Sequence, residues 1–153
     1  MTLLDNDLFN FINLVISFFM SIIIHELGHA FFVKIFRGKV NGLGIGMFGE
    51  TFFEFKRFYI KKDFYRGSIM WELPVNIKDY QLIFVYFGGP LFNLITGLVC
   101  WIFGNPEYKY YYDVIMNISF VMAFINLLPF YFSPSMKSDG RGILDVFKER
   151  KTA

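Results

Sequence analysis

The sequence predicts a mainly α-helical, polytopic membrane protein, a single domain over residues 1–153 with three transmembrane helices and a small β-hairpin between the first two. The 153 residues are 55% hydrophobic and only 18% charged, whereas soluble domains are usually about 45–50% apolar and about 25% charged. Three long runs, residues 8–33, 81–104 and 114–134, contain one formal charge between them, that of Glu26. The alternative is a soluble protein with three buried helices, but so short a chain has too little polar surface to cover them.

The first apolar run is predicted to be a retained helix rather than a secretory signal. A signal peptide begins with basic residues and ends at a small-residue cleavage site. Here Asp5 and Asp7 precede the run, no Lys or Arg does, and the run continues through residues 25–29 without an Ala-x-Ala site. Each of the three runs has the roughly 20 apolar residues that a helix needs to cross a hydrocarbon core of about 30 Å.

The distribution of Lys and Arg predicts the orientation in the cell membrane. Nine of these cations lie between residues 34 and 78, five follow Met136, none precedes the first run, and only Lys109 lies between the second and third. Positively charged loops stay in the cytoplasm. We therefore expect a multi-pass protein whose N-terminus is outside and whose residues 37–78 and 137–153 are cytoplasmic.

The segment between the first two spans is predicted to contain the hairpin. Residues 41–48 and 51–58 read as two short strands, Asn41–Phe48 and Thr51–Phe58, around a tight turn at Gly49 and Glu50. The glycine-rich first strand lacks the lysine of a phosphate-binding loop, so we expect no nucleotide. A net charge of +2 predicts no nucleic-acid partner, and the lone Cys100 excludes a disulfide framework or a cysteine-rich zinc finger.

The pentapeptide His25-Glu26-Leu27-Gly28-His29 carries the chemistry of the chain. Histidines at positions i and i+4 of a helix share one face and can bind one metal ion, and the glutamate after the first can act as general base. These are the only two histidines, and chance would produce this pattern roughly once in 2,000 such sequences. The alternative is a pair of structural histidines, but unpaired polar groups in an apolar span cost several kcal/mol. We therefore predict a zinc site.

A third zinc ligand is expected because catalytic zinc sites usually have three protein ligands. No third histidine exists, and Cys100 lies toward the far end of its span. The third ligand is therefore predicted to be a cytoplasmic carboxylate, with Asp139 the first choice because it directly follows the third span. The competing candidate is Asp145, which lies in a predicted amphipathic helix, Ile143–Lys148. An Asp-Gly pair such as Asp139-Gly140 also commonly forms a simple turn.

Three elements occur in the order found in one known family. They are the HELGH pentapeptide, the sequence Gly88-Gly89-Pro90-Leu91-Phe92-Asn93, and Asn126-Leu127-Leu128-Pro129 followed by Asp139-Gly140-Arg141. With these elements the chain resembles the site-2 protease family of intramembrane zinc metalloproteases, from Ser21 to Leu144. It departs from the family at residues 130–137, where the family segment is usually shorter and rich in proline.

The resemblance implies three zinc ligands: His25, His29 and Asp139. It also implies that Glu26 is the general base and that Asn93 and Asn126 position the substrate or stabilise the oxyanion. For the two asparagines, hydrogen bonds between helices are an equally good interpretation. The predicted hairpin matches the place where family members offer a β-edge to an unwound substrate.

These observations predict a zinc endopeptidase that hydrolyses a peptide bond of a transmembrane or membrane-associated substrate near the cytosolic leaflet. Its expected partners are a membrane-embedded peptide or protein and the lipid bilayer. One alternative is a non-catalytic relative that binds peptides or assembles with a transporter, although such a protein has no need of Glu26. A metal transporter is a second alternative, but the spans carry no series of carboxylates.

Overall fold

The computed structural model describes residues 3–64, 66–134 and 136–152. Ala153, the last residue of the predicted tail, lies outside the described residues. Within these residues there are four α-helices: α1 Leu3–Ile35, α2 Asp79–Phe103, α3 Lys109–Leu127 and α4 Asp139–Thr152. A short 3-10 turn, Pro106–Tyr108, connects α2 to α3.

In the part of the chain that the structure describes, three helical segments are long and apolar enough to cross a membrane: Asp7–Ile35, Asp79–Phe103 and Pro106–Leu127. Large apolar side chains on them point outward; Trp101, Phe103 and Phe124 are 70%, 76% and 67% exposed. In a bilayer such side chains would contact lipid. The third predicted span is too long, because α3 ends at Leu127 rather than near residue 134. Leu128 is extended, as expected for a residue that precedes a proline.

Small residues let the helices approach one another closely. A Cβ on Gly28 of α1 would overlap the backbone carbonyl of Gly88 on α2, and a Cβ on Gly88 would overlap that of Gly28. The hydroxyls of Ser21 on α1 and Ser119 on α3 share a buried hydrogen bond of 3.1 Å. Both devices are typical of helix packing in membranes, and they turn the same face of α1 toward α2 and α3.

A four-stranded sheet follows α1. Its strands are β1 Lys39–Ile45, β2 Thr51–Phe55, β3 Phe58–Lys61 and β4 Gly67–Glu72. They lie in the order β2-β3-β1-β4, with β1 parallel to β3 and antiparallel to β4, and with β2 antiparallel to β3. Strand β4 is therefore at one edge of the sheet.

The predicted hairpin between Asn41–Phe48 and Thr51–Phe58 is wrong. Strand β3 lies between β1 and β2, and the actual hairpin joins β2 to β3 through Lys56, which has a positive φ of 59°. Two contacts explain the difference. The Asp63 carboxylate accepts hydrogen bonds from the backbone N–H groups of Met47 and Phe48, which holds residues 46–50 as an open loop. Gly44 lacks a Cβ that would overlap Tyr59 of β3, so β3 can pair beside β1.

The sheet packs against the end of α1 that carries the histidines. Val33 of α1, Val40 of β1 and Val85 of α2 form the centre of a small hydrophobic core, with Trp71 of β4 packed against it. The Trp71 ring lies 5.7 Å from the His29 ring. This core fixes β4 beside the histidine-bearing face of α1.

The chain after α3 turns back to the same end of the bundle. The segment that departs from the family contains a short antiparallel pair, β5 Tyr131–Ser133 with β6 Met136–Lys137. The predicted helix Ile143–Lys148 lies within the longer α4. Gly140 packs against the Leu127 backbone, so the first turn of α4 sits directly against the end of α3.

Candidate metal centre

His25, His29 and Asp139 meet where α1 and α4 come together. The Nε2 atom of His25 lies 3.0 Å from one carboxylate oxygen of Asp139, and Nε2 of His29 lies 3.4 Å from the other. Ligand atoms from all three side chains lie within 4.8 Å of one another. Both histidines are buried, with 5% and 3% of their surface exposed. The structure thus brings together the three ligands that the sequence predicts, across a separation of 114 residues between His25 and Asp139.

Gly89 on α2 leaves space beside these ligands. A Cβ at this position would lie 2.5 Å from Nε2 of His25 and 2.5 Å from Nε2 of His29. An atom there would fill the space next to both Nε2 atoms. Two imidazoles and one carboxylate are also a donor set that catalytic zinc adopts. Donor types, spacing and space around the ring nitrogens therefore fit a zinc ion.

The orientation of each imidazole is set from α2. Nδ1 of His29 donates a hydrogen bond of 2.7 Å to the carbonyl oxygen of Val85, since a carbonyl can only accept. In a neutral ring this leaves the Nε2 lone pair free for a metal. Nδ1 of His25 lies 3.3 Å from the amide nitrogen of Asn93. A second contact from α2 thus reaches the other ring.

Asp139 rather than Asp145 completes the cluster. Each of its two carboxylate oxygens faces one imidazole, at 3.0 Å from Nε2 of His25 and 3.4 Å from Nε2 of His29. Asp145 faces elsewhere and pairs with Lys137 at 3.3 Å and with Arg141 at 2.8 Å. Of the two carboxylates that the sequence offers, Asp139 is thus the one that lies beside the histidines, and its role as a zinc ligand stays a prediction.

Glu26 lies beside the cluster and is 7% exposed. Gly67, the first residue of β4, packs against its carboxylate, because a Cβ on Gly67 would overlap a carboxylate oxygen of Glu26. The carboxylate therefore sits between the ligands on α1 and the edge strand of the sheet. This position suits a base that serves a reacting water at the cluster.

A cavity of about 610 Å³ opens onto this cluster. Its walls include the three candidate ligands, Glu26, Asn126 of α3 and the edge strand β4 from Gly67 to Ile69. Cavities of a few hundred Å³ hold small ligands or short peptide segments. The cluster is thus accessible to a substrate although its ligands are buried.

The two asparagines occupy different places. Asn126 lines the cavity, and its amide donates to the carbonyl oxygen of Met122 one turn earlier in α3. Asn93 is fully buried and contacts His25 instead. The substrate-positioning roles stay predictions, and of the two side chains Asn126 is the one that a substrate in the cavity can reach.

Sequence reasoning missed three parts of the site. Gly89 and Gly67 have no Cβ, which leaves space for the two histidines and for Glu26. The third part is a backbone group, the Val85 carbonyl that contacts His29. The adjacent glycines 88 and 89 inside an apolar run were a usable signal, because such a pair in a membrane helix marks a close approach. Nothing in the sequence distinguishes Gly67 or Val85.

The fold and the site show a mainly helical protein with three candidate membrane spans, a buried His-His-Asp cluster and a neighbouring glutamate. The sequence model of Peptidase family M50 matches residues 13–108, which include the HELGH pentapeptide and all of α2. The chain belongs to this family, the site-2 protease family, which confirms the resemblance drawn from the motifs.

Two relatives are similar over most of this chain. A Borreliella burgdorferi protein named "Putative zinc metalloprotease" is 31% identical over 132 residues, which cover 69% of this chain but 30% of that protein. A Bacillus subtilis protein named "Uncharacterized membrane protein YwmF" is 35% identical over 136 residues, covering 82% of this chain and 80% of that protein. The chain thus spans less than a third of the Borreliella protein. Together with the three apolar helices, these relatives indicate a multi-pass membrane protein, and the family indicates a zinc metalloprotease.

Proposed function

We propose that this protein is an intramembrane zinc endopeptidase that hydrolyses a peptide bond of a transmembrane or membrane-associated substrate near the cytosolic leaflet. The observation that carries the proposal is the convergence of His25, His29 and Asp139 beside Glu26 at the base of an open cavity. A structural cluster would need neither the cavity nor the glutamate. Family membership supports the same reaction.

The chemistry would be divided among few groups. His25, His29 and Asp139 would hold zinc, which when bound supplies a Lewis acid for the scissile carbonyl and a lower pKa for the attacking water. Glu26 would take a proton from that water onto its carboxylate and later donate the proton to the leaving amine. Asn126, which also lines the cavity, would offer its amide to the substrate backbone.

Substrate would bind along β4. This strand lies at the edge of the sheet and lines the cavity with Ser68 and Ile69. An unwound peptide adding to such an edge gains backbone hydrogen bonds and is held extended. The resemblance drawn from the sequence implies that substrate pairs with the hairpin at residues 41–58. We propose β4 instead, because β4 is the edge strand that borders Glu26.

The site would lie near the inner surface of the cell membrane. His29 precedes Lys34 by five residues, about 7.5 Å along a helix. The cation-rich sheet and α4 are at the same end of the bundle as the cluster, and the connection between α2 and α3 is at the other end. With positive segments inside, this end faces the cytoplasm.

The direct test is mass spectrometry of membrane peptides from cells that express the wild type or Glu26→Gln. Loss of a general base lowers turnover roughly 10²–10⁴-fold, so peptides with new termini should disappear in Glu26→Gln. Glu50→Gln is the matched control, since Glu50 is exposed and pairs with Lys62 away from the cavity. Identical new termini with Glu26→Gln would refute the proposal. Peptides that copurify uncleaved with the wild type would favour the non-catalytic, peptide-binding alternative.

A further inference from the structure

Asn93 lies on α2 behind the imidazole of His25. It is 0% exposed, and its amide group approaches Nδ1 of His25, with Nδ2 at 3.3 Å. Its Oδ1 atom is buried and has no hydrogen-bond partner among the described residues. A buried amide with an unsatisfied acceptor costs free energy, which calls for an explanation in terms of what the side chain does.

Each of the two histidines needs a hydrogen-bond acceptor at Nδ1 if it is to bind a metal through Nε2. A neutral imidazole that uses Nε2 as a ligand carries its proton on Nδ1, and that N–H requires an acceptor. His29 has such an acceptor, the Val85 carbonyl oxygen. Among the described residues, the polar group that faces Nδ1 of His25 is the Asn93 amide.

Rotation of this amide by about 180° exchanges its oxygen and nitrogen, which have nearly the same shape. After that exchange, Oδ1 faces Nδ1–H of His25 and accepts its hydrogen bond, and Nδ2 takes the position in which Oδ1 had no partner. In the unrotated form, Nδ2 instead faces a deprotonated Nδ1, which fits a ring that holds its proton on Nε2 toward Asp139. The amide can therefore serve either tautomer, and only the rotated form serves the metal-binding one.

We infer that Asn93 is a positioning residue that accepts a hydrogen bond from Nδ1 of His25 and so aims Nε2 of that ring at the metal. The inference rests on the proposed zinc site and goes beyond it. This role differs from the substrate contact that the resemblance implied for Asn93. The side chain is fully buried and contacts the imidazole of His25. Val85 and Asn93, two turns apart on α2, would thus hold one ligand each.

The test is a competition titration that measures the zinc affinity of the purified full-length chain. Partners of metal-bound histidines contribute about 10–100-fold to metal affinity, so Asn93→Ala should weaken zinc binding by that factor. Asn93→Asp keeps an acceptor of the same size, so it should restore the affinity. Thr96→Val is the matched control, since the Thr96 hydroxyl lies one turn further on α2 and only donates to the Phe92 carbonyl oxygen.

A second readout concerns the ring itself and requires no variant. In the zinc-loaded wild type, ¹⁵N NMR of the imidazoles should show the proton of His25 on Nδ1. Wild-type affinity in Asn93→Ala, an Asn93→Asp variant that binds as weakly as Asn93→Ala, or a His25 proton on Nε2 would each overturn the inference. Each of these results can occur in a chain that still binds zinc. A wild type that binds no zinc would overturn the proposed function as well.

Discussion

Gly89 is the residue at which the candidate site is most sensitive to added volume. A Cβ there would lie 2.5 Å from each of the two ring nitrogens that face Asp139, and the surrounding helix backbone cannot move aside easily. Gly89→Ala should therefore abolish most zinc binding while the protein still inserts and folds. The zinc content of purified protein, measured by elemental mass spectrometry, checks this.

Gly97→Ala is the control for that change, because it adds the same methyl group to the same helix but meets the ring of Phe120 instead. It should cost packing stability and leave zinc binding unchanged. A Gly89→Ala protein with full zinc content would show that the ion does not lie between the two histidines and α2.

Single residues were predictable from the sequence where chemistry and spacing coincide. His25 and His29 are four apart on a helix, so they had to share a face, and Glu26 had to lie beside them. Asp139 could be proposed but not separated from Asp145, because its approach depends on how α4 packs on Leu127. The roles of Gly89 and Val85 arise from contacts between helices, which no local pattern specifies.

Among the elements, β4 connects the sheet to the chemistry. Its first residue, Gly67, touches the Glu26 carboxylate so closely that any side chain would displace it. Gly67→Ala should therefore leave zinc content intact and lower the turnover number, by about 10²-fold if the base moves by about 1 Å. Cleavage assays with a peptide identified from the membrane peptidome, run beside zinc analysis, measure both quantities.

Two results would contradict this account of β4. Full activity in Gly67→Ala would mean that Glu26 is not confined by the sheet. Loss of zinc in the same variant would mean that the effect passes through the ligands instead of the base.

The helices were predictable as elements and the sheet was not. Length and lack of charge define a membrane helix within its own sequence, so α1 and α2 matched their predicted runs closely and α3 differed at its end. Strand pairing depends on distant partners. The parallel pairing of β1 with β3 requires the fit of Tyr59 against Gly44, and a tight turn at residues 49–50 was the simpler prediction from the local pattern alone.

For the molecule as a whole, the cation asymmetry predicts which end of the bundle faces the cytoplasm. Reporters fused after Ala153 or inserted near Lys62 should be cytoplasmic, and a reporter near Glu107, in the turn between α2 and α3, should be external. Enzymatic reporters that are active on one side only provide the measurement. If the Lys62 and Glu107 reporters gave the same compartment, the arrangement of three spans would be refuted.

The central claim is that His25, His29 and Asp139 together bind one zinc ion. The most direct measurement is the zinc content of purified wild type, His25→Ala, His29→Ala and Asp139→Ala, with Asp145→Ala as the matched carboxylate control. The account predicts about one zinc per chain in the wild type and in Asp145→Ala, and little or none in the three ligand variants. Wild-type zinc content in the histidine variants, or in Asp139→Ala, would contradict it.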